Sequence, residues 1–236
     1  MNQPQPSPQQ GVRAWFDGTY RDHGFAYLRP MAAYPIFLQL LDAQPGERLL
    51  DVGCGPGLLL KAALLRGVEP HGVDISEVAV GMARKYVPES TCQVANAEAL
   101  PFTDDSFDLL TCIGAFERML DRRLVLDEMQ RVIRPGGRLC LMVRNATAPG
   151  WRIWRQLLGR QNHAGHQDAK GLREWREMFE SVGLTIDAVH MDQWGRQKLR
   201  RWLRGGRHPD FSQPEPIARP WVSIHNAYEY IFLLRS

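Results

Sequence analysis

A glycine-rich run at residues 51–57 constrains the fold of this 236-residue chain more than any other feature. The run reads D-V-G-C-G-P-G; apolar residues precede it, and an apolar stretch of helical character follows it. Glycine permits positive φ angles and lets a ligand approach the main chain closely. The helix N-terminus behind such a turn offers free N–H groups and a partial positive charge. The run therefore predicts a strand, a tight turn and a helix that form a nucleotide-binding corner.

The spacing of these glycines distinguishes between different types of nucleotide-binding site. A dinucleotide site uses G-x-G-x-x-G, in which the third glycine packs the helix on the strand. Here the third glycine is Gly57, one residue too early, and Leu58 fills the expected position. The sequence also contains no G-x-x-x-x-G-K-[ST] phosphate loop. A nicotinamide oxidoreductase is therefore the weakest interpretation, and an ordinary glycine-rich βα turn remains an alternative.

Composition indicates one ordinary globular domain. The length suits a single α/β domain, and 44% hydrophobic and 23% charged residues are typical of such proteins. A net charge of +3 is too small to require an anionic partner. The N-terminal residues lack the charged start and apolar core of a signal peptide, and no apolar stretch is long enough to span a bilayer.

The cysteines predict neither a metal site nor disulfides. Cys54, Cys92, Cys112 and Cys140 are widely spaced and form no C-x-x-C pair, so we expect no metal. Three of them lie in or beside apolar, strand-like runs. Buried, reduced thiols of a cytoplasmic protein are the expected state.

Strand and helix patterns alternate through the middle of the chain. Strands are predicted at 48–52, 70–74, 91–95, 107–112 and 138–143, and helices at 57–66, 76–87 and 121–133. Such alternation implies a parallel sheet with helices on both faces. Before it we predict a disordered tail at 1–10 and helices at 12–20 and 30–41. After it we predict helices at 151–158, 168–182 and 194–203, and strands at 184–191 and 227–234.

Candidate binding residues lie at the predicted carboxyl ends of the strands, where open α/β sheets bind ligands. The first end contributes Asp51, Gly53, Cys54, Gly55 and Gly57. The second strand ends at Asp74 and Ile75. One carboxylate can accept two hydroxyl hydrogen bonds, so Asp74 suits a ribose diol.

The third and fourth strand ends complete a family pattern. N-A-E-A-L-P-F follows the third strand at 96–102, F-D stands at 107–108, and R-V-I-R-P-G-G precedes the fifth strand at 131–137. With the glycine run, these stretches resemble the class I S-adenosylmethionine-dependent methyltransferases from about residue 47 to 143. The pattern is most similar to the small-molecule branch, which includes the ubiquinone and menaquinone biosynthesis methyltransferases.

The resemblance implies an α/β, Rossmann-like fold. Its seven-stranded, mostly parallel sheet would carry helices on both faces and an antiparallel C-terminal strand. Residues 11–236 would form a single methyltransferase domain after the tail at 1–10. Within it, 11–45 would be a helical cover, 47–145 the cofactor-binding core, and 146–236 the acceptor-side elements and last strands.

The resemblance also implies the cofactor and the reaction. The cofactor would be S-adenosyl-L-methionine, and its methyl group would pass by in-line displacement to a small-molecule acceptor. The acceptor atom would be an oxygen or carbon of a quinone-like, lipid or secondary-metabolite compound. The expected cofactor-binding residues are Asp51, Gly53, Cys54, Gly55, Gly57, Asp74, Ile75, Asn96, Ala97, Glu98, Ile113 and Tyr20.

The sequence departs from the family pattern at two positions. Asn96 stands where aspartate is common, and its amide oxygen can still accept from an adenine amino group. Glu117-Arg118 stands where relatives often have Glu-His, so the histidine is missing. His163, His166, His190 and His225 are isolated histidines, and no catalytic residue is assigned.

Two other functions remain alternatives, an RNA methyltransferase and a non-catalytic cofactor-binding module. The basic stretch 196–204 suits RNA or a peripheral contact with an anionic membrane, although it is also a normal solvated helix. Motifs for methylation of nucleobases (N-P-P-Y and Pro-Cys) are absent, which disfavours nucleic acid without excluding RNA. The chain could also be a non-catalytic cofactor-binding module. The sequence leaves the acceptor, the general base, the pathway and the oligomeric state undetermined.

Overall fold

Seven strands and six α-helices form the part of the chain that the structure describes. The computed structural model describes residues 7–149, 168–192, 194 and 223–236. The strands are β1 (Arg48–Val52), β2 (Glu69–Asp74), β3 (Thr91–Val94), β4 (Phe107–Ile113), β5 (Ile133–Arg144), β6 (Thr185–Met191) and β7 (Glu229–Arg235). The helices are α1 (Pro8–His23), α2 (Pro35–Leu40), α3 (Leu58–Leu65), α4 (Glu77–Tyr86), α5 (Arg122–Val132) and α6 (Leu172–Glu180).

The strands build one sheet in the order β3-β2-β1-β4-β5-β7-β6. Strands β1 to β5 pair in parallel, whereas β7 runs antiparallel to both β5 and β6. The direction of strand order reverses between β1 and β4, which creates a switch point at their carboxyl ends. The predicted fold class is therefore confirmed.

Side chains of successive strand residues point to opposite faces, and each face has its own core. On β1, Leu50 packs with one core and Leu49 with the other. The first core includes residues of α5 and α6, and the second includes residues of α2, α3 and α4. Helices on both faces bury a sheet whose central strands are mostly apolar, with Asp51 of β1 and Thr111 of β4 as buried polar residues.

Side-chain N-caps begin α4 and α5, the helices that follow loops of the switch-point edge. The Ser76 Oγ accepts from the backbone N–H of Ala79 at 3.1 Å. The Asp121 carboxylate accepts from the N–H groups of Arg123 and Leu124, each at 3.1 Å. Both caps satisfy N–H groups that a helix start otherwise leaves unpaired.

The N-terminal segment differs from its predicted form. The predicted tail at 1–10 is too long, because α1 already begins at Pro8; Ser7 and Gln10 form a capping box there. Residues 1–6 lie outside the described residues. The single helix predicted from Pro30 is interrupted: Met31–Ala33 is a 3₁₀ turn and α2 starts at Pro35. Proline lacks an N–H donor and restricts the residue before it, so the helix restarts there.

Two boundaries in the C-terminal half also differ. The predicted turn at 134–137 lies inside β5, where the pairing with β4 shifts register between Phe107 and Leu109. The helix predicted from Asp168 starts at Leu172, because Lys170 forms a bridge with Asn145 and keeps the backbone extended. The predicted helices at 151–158 and 194–203 lie outside the described residues, apart from Trp194.

The cysteines and the helices bear on two sequence predictions. All four cysteines are free and buried, as predicted. In the described part of the chain, no group of His, Cys, Asp or Glu could hold a metal ion. None of the described helices combines the length and apolar character needed to cross a membrane.

The core between α6 and the sheet provides a test of packing. Phe179 is fully buried and contacts Phe116, Trp175 and Phe232 at ring-centroid distances of 5.9, 6.1 and 5.0 Å. We expect Phe179→Ala to lower the free energy of unfolding in urea by about 3–5 kcal/mol, because it leaves a cavity in this cluster. Phe25, which is 40% exposed, is the matched control. A loss for Phe179→Ala no larger than for Phe25→Ala would contradict this packing.

Candidate functional site

A cavity opens at the switch point between β1 and β4, and its empty space, which includes open solvent, is about 1020 Å³. The loops after β1, β2, β3 and β4 form its floor, and α1 with the segment from Tyr27 to Tyr34 forms its cover. The predicted residues that line it are Asp51, Gly53, Cys54, Gly55, Asp74, Ile75, Asn96, Ala97, Glu98, Ile113 and Tyr20. The structure thus brings together all the predicted binding residues except Gly57.

The glycine turn leaves its main chain open to the cavity. Gly53 has φ +79°, and a Cβ added there would lie 2.5 Å from the Cβ of Ala115. The backbone N–H groups of Gly53 and Cys54 donate to the carbonyl of Val73 at 2.8 and 3.0 Å. These bonds fix the turn against the end of β2, and only glycine fits at position 53 without displacing the loop after β4.

Gly57 has a packing position behind the cavity. It is the residue before α3, with φ +87°. A Cβ added there would lie 3.2 Å from the Cβ of Ala83 in α4. The geometry therefore explains this glycine through the close approach of two helices.

Asp74 joins the loops that follow β1 and β2. Its carboxylate accepts from the N–H of Gly55 at 2.8 Å and from the N–H of Ser76 at 2.9 Å. A carboxylate has about four lone-pair positions, so it can still accept from two ligand hydroxyls. Burial raises the pKa of Asp74 to about 6, against the opposing effect of the two backbone donors.

Asp51 is the most deeply buried carboxylate of the cavity, with 3% of its surface exposed. The hydroxyl of Thr111 donates to it at 2.7 Å. Burial raises the pKa of Asp51 to about 7, although the Thr111 hydrogen bond lowers it. A bound cation would favour the ionised carboxylate, because an opposite charge offsets the desolvation.

The loop after β3 is shaped by Asn96 and Glu98. The amide oxygen of Asn96 accepts from the backbone N–H of Glu98 at 3.2 Å, and its NH₂ donates to the Glu98 carboxylate at 3.3 Å. One lone pair of the amide oxygen remains for a ligand donor. This geometry accommodates the role predicted for Asn96.

Polar contacts bind α1 over the cavity. Arg13 donates through Nε to the carbonyl of Ile75 at 2.9 Å. Asp17 accepts from the hydroxyl of Ser76 at 2.6 Å and from the N–H of Val78 at 3.2 Å. Sequence reasoning missed both residues, although their spacing of four places them on one helix face.

Tyr20 ends this covering face. It is buried, and its hydroxyl oxygen lies 2.9 Å from the position that a Cβ on Gly55 would take. Burial and the nearby Asp74 raise the pKa of Tyr20, so the phenol stays protonated and can donate. The residue is therefore placed over the glycine turn.

The remaining predicted candidates do not enter the cavity as the structure describes it. His190 lies on β6 and His225 is exposed, and neither lines it. His163, His166 and the basic stretch 196–204 lie outside the described residues. Sequence reasoning also missed several lining residues beyond the cofactor motifs, which are Val12, Phe16, Leu28, Tyr34, Arg118, Met119 and Leu120.

Comparison with known proteins agrees with this geometry. Residues 50–141 match a family model described as a methyltransferase domain. The chain is 32% identical over 185 residues to a ubiquinone biosynthesis O-methyltransferase of Aeromonas salmonicida, covering 72% of this chain and 78% of that protein. It is 29% identical over 164 residues to the corresponding protein of Alkalilimnicola ehrlichii, covering 67% of this chain and 62% of that protein. The match thus spans less than two thirds of the latter's length.

The fold also has relatives among solved structures. A S-adenosylmethionine-dependent methyltransferase from Thermotoga maritima superposes with a TM-score of 0.67 and 19% identity, over 94% of this chain and 98% of that one. At this identity the likeness concerns the fold alone. The sequence match to the Aeromonas protein gives stronger evidence of family membership, since 32% identity extends over 72% of this chain. Fold, cavity and sequence together show that the chain belongs to the class I methyltransferases, whose cofactor is S-adenosylmethionine.

Proposed function

We propose that this protein transfers a methyl group from S-adenosylmethionine to a small-molecule acceptor bound in the same cavity. The observation that carries the proposal is the convergence of the glycine turn, Asp74 and the Asn96–Glu98 loop in one cavity under α1. Each of these features comes from a different strand end, and the switch point brings them together.

The residues present fit the cofactor. Gly53 and Gly55 let a ligand lie against the main chain, and Asp74 has capacity left for a ribose diol. Asp51 lies in the floor as a buried carboxylate suited to an ammonium group. Asn96 offers an acceptor for an adenine amino group. Asp51, Gly53, Cys54, Gly55, Asp74, Ile75, Asn96, Ala97, Glu98, Ile113 and Tyr20 are accordingly the proposed binding residues.

The proposed mechanism relies on positioning. The sulfonium of the cofactor supplies an electrophilic methyl group when bound, and the protein aligns the nucleophile with it. Asp51 would hold the ammonium group of the cofactor and Asp74 its ribose hydroxyls, so that both groups have fixed positions. Helix α1, fixed through Arg13 and Asp17, would exclude water from the reacting atoms.

The cavity lining favours a small acceptor. Its cover contributes mostly apolar and aromatic side chains, among them Val12, Phe16, Leu28 and Tyr34. Such a lining suits an apolar or aromatic molecule. The similarity to ubiquinone biosynthesis O-methyltransferases supports a quinone-like or phenolic oxygen as the acceptor atom, with lipid and secondary-metabolite acceptors as related options. The four free, buried thiols support the cytoplasm as its proposed location.

The first prediction concerns cofactor binding. In calorimetric titration, we expect S-adenosylmethionine and S-adenosylhomocysteine to bind and NADH not to bind. Gly53→Ala should abolish this binding, because its Cβ would collide with Ala115 at 2.5 Å. Gly81→Ala is the matched control, since a Cβ at that position of α4 has nothing within 4 Å. Unchanged affinity in Gly53→Ala would contradict the assignment of the site.

The second prediction concerns pH. Protonated Asp51, with a pKa of about 7, cannot attract the cationic cofactor, so affinity should fall as pH falls. Between pH 7.0 and 5.5 the decrease should approach about tenfold per pH unit, with Asp74 adding to it at the lower end. Asp51→Asn should bind more weakly at pH 7.5 and show a shallower profile.

A folding measurement separates this effect from damage to the structure. In the folded protein Asp51 keeps its proton to a higher pH than in the unfolded chain, because ionising the buried carboxyl is unfavourable. The contribution of Asp51 to the stability of the ligand-free protein therefore decreases as pH rises from about 4 towards 7. At pH 7.5 the ligand-free Asp51→Asn variant should therefore melt no lower than the wild type. If the cofactor affinity of Asp51→Asn had the same pH profile as that of the wild type, groups other than Asp51 would be responsible for the titration.

The third prediction concerns turnover. With a short-chain demethylated quinol, the protein should convert S-adenosylmethionine to S-adenosylhomocysteine in proportion to methylated product, measured by mass spectrometry. Gly53→Ala should be inactive and Gly81→Ala active. Cofactor binding without turnover on such quinols, phenols or lipid acceptors would favour the non-catalytic binding module. Turnover on RNA that decreases steeply with salt would favour the RNA methyltransferase.

A further inference from the structure

Arg118 is a buried cation in the wall of the cavity. It closes the 3₁₀ turn Phe116–Arg118, which follows β4, and only 9% of its surface is exposed. It is also the only Lys, Arg or His among the described residues that line the cavity, whereas Asp51, Asp74 and Glu98 supply the carboxylates. The cavity therefore has an acidic floor and one cationic position on its β4 side.

This cation has no polar partner in the described protein. The buried Nη1 of Arg118 makes no hydrogen bond to any described residue. The neighbouring arginines are paired differently: Arg122 contacts Asp168, and Arg144 contacts Glu117. Arg118 thus lies beside a set of ion pairs without belonging to it.

Two aromatic rings of α1 hold the guanidinium instead. Its Cζ lies 5.7 Å from the ring centroid of Trp15 and 5.7 Å from that of Phe16. Such contacts favour the cation but leave the buried Nη1 without an acceptor. Buried polar groups normally have partners, and an unpaired buried charge is unfavourable.

We propose that Arg118 binds a carboxylate on the methyl acceptor, which makes the acceptor an aromatic or apolar acid. This inference rests on the methyltransferase function proposed above. A planar guanidinium matches a carboxylate through two parallel hydrogen bonds. The apolar and aromatic residues around it, including Phe16, Met119 and Leu120, suit the rest of such a molecule.

Arg118 is displaced along the cavity from the contacts proposed for the cofactor's methionyl and ribose groups. Those groups are assigned to Asp51, Asp74 and the glycine turn, which Tyr20 covers, and the adenine amino group is assigned to Asn96. Trp15 and Phe16 precede Tyr20 on α1 by five and four residues, or about 6–8 Å along the helix axis. Arg118 therefore fits the acceptor, and contact with the cofactor's own carboxylate is the outcome that would contradict this.

The test uses matched acids and amides on the product complex. The full-length protein is saturated with S-adenosylhomocysteine and titrated calorimetrically with 3,4-dihydroxybenzoate and 4-hydroxycinnamate, and with the carboxamide of each. We expect at least one acid to bind about tenfold or more tightly than its amide, as a charge-assisted bidentate pair requires. Arg118→Met should remove this preference and leave S-adenosylhomocysteine affinity within about twofold, since the variant keeps the cofactor contacts.

Control measurements separate binding from folding. Arg123→Met, at an exposed arginine of α5, should keep the preference for the acid. Ligand-free Arg118→Met should melt at the same temperature as the wild type or higher, because methionine can pack against the two rings without a buried charge. A lower melting temperature would instead give Arg118 a structural role.

The outcomes also distinguish this inference from the function on which it rests. If the wild type fails to bind S-adenosylhomocysteine, the proposed function is wrong. If it binds S-adenosylhomocysteine but binds neither acid, or binds acid and amide equally, only the assignment of Arg118 is wrong. Loss of S-adenosylhomocysteine affinity in Arg118→Met would place the guanidinium on the cofactor.

Discussion

The site depends first on the two hydrogen bonds that Asp74 accepts. One comes from Gly55 in the turn after β1, and the other from Ser76 at the start of α4. A single buried carboxylate thus sets the distance between two strand ends and orients the N–H groups of the glycine turn. The Ser76 hydroxyl then reaches Asp17 and connects the same point to the covering helix. One network of hydrogen bonds therefore links the floor of the cavity to its cover.

The floor is built to favour a cation. Asp51 and Asp74 are both buried, and burial raises the pKa of each, to about 7 and about 6. Carboxylates in this state are unfavourable when ionised and alone, and a positively charged ligand relieves that cost. In the turn after β4, Arg118 is a buried cation whose Nη1 has no hydrogen-bond partner in the described protein. The described lining of the cavity thus contains buried carboxylates and one buried cation.

The sequence predicted most of the residues that line the floor of the cavity, because their pattern along the chain is local. The turn needs glycines at fixed positions, and strand ends carry Asp51, Asp74 and Asn96 in a pattern that is readable along the chain. The covering helix was predicted only in outline, since the roles of Arg13 and Asp17 depend on contacts with residues about 60 positions away. The errors in element boundaries also have local causes. A new helix begins at Pro35, and the residues just before Arg138 belong to β5, whose pairing with β4 shifts register there.

The ion pairs next to the turn after β4 could not be predicted in the same way, because they join side chains that are far apart in the sequence. Arg29 joins Asp192 and Glu229, and Arg144 contacts both Glu229 and Glu117, the residue next to Arg118. These pairs connect the N-terminal segment, β7 and the turn after β4, which no local periodicity reveals. One fold can keep its cofactor half constant while such side chains change, and acceptor choice is then set by residues outside the motifs. The replacement of the family's frequent histidine by Arg118 is a change of this kind: it removes a titratable group and introduces a permanent cation into the wall of the cavity.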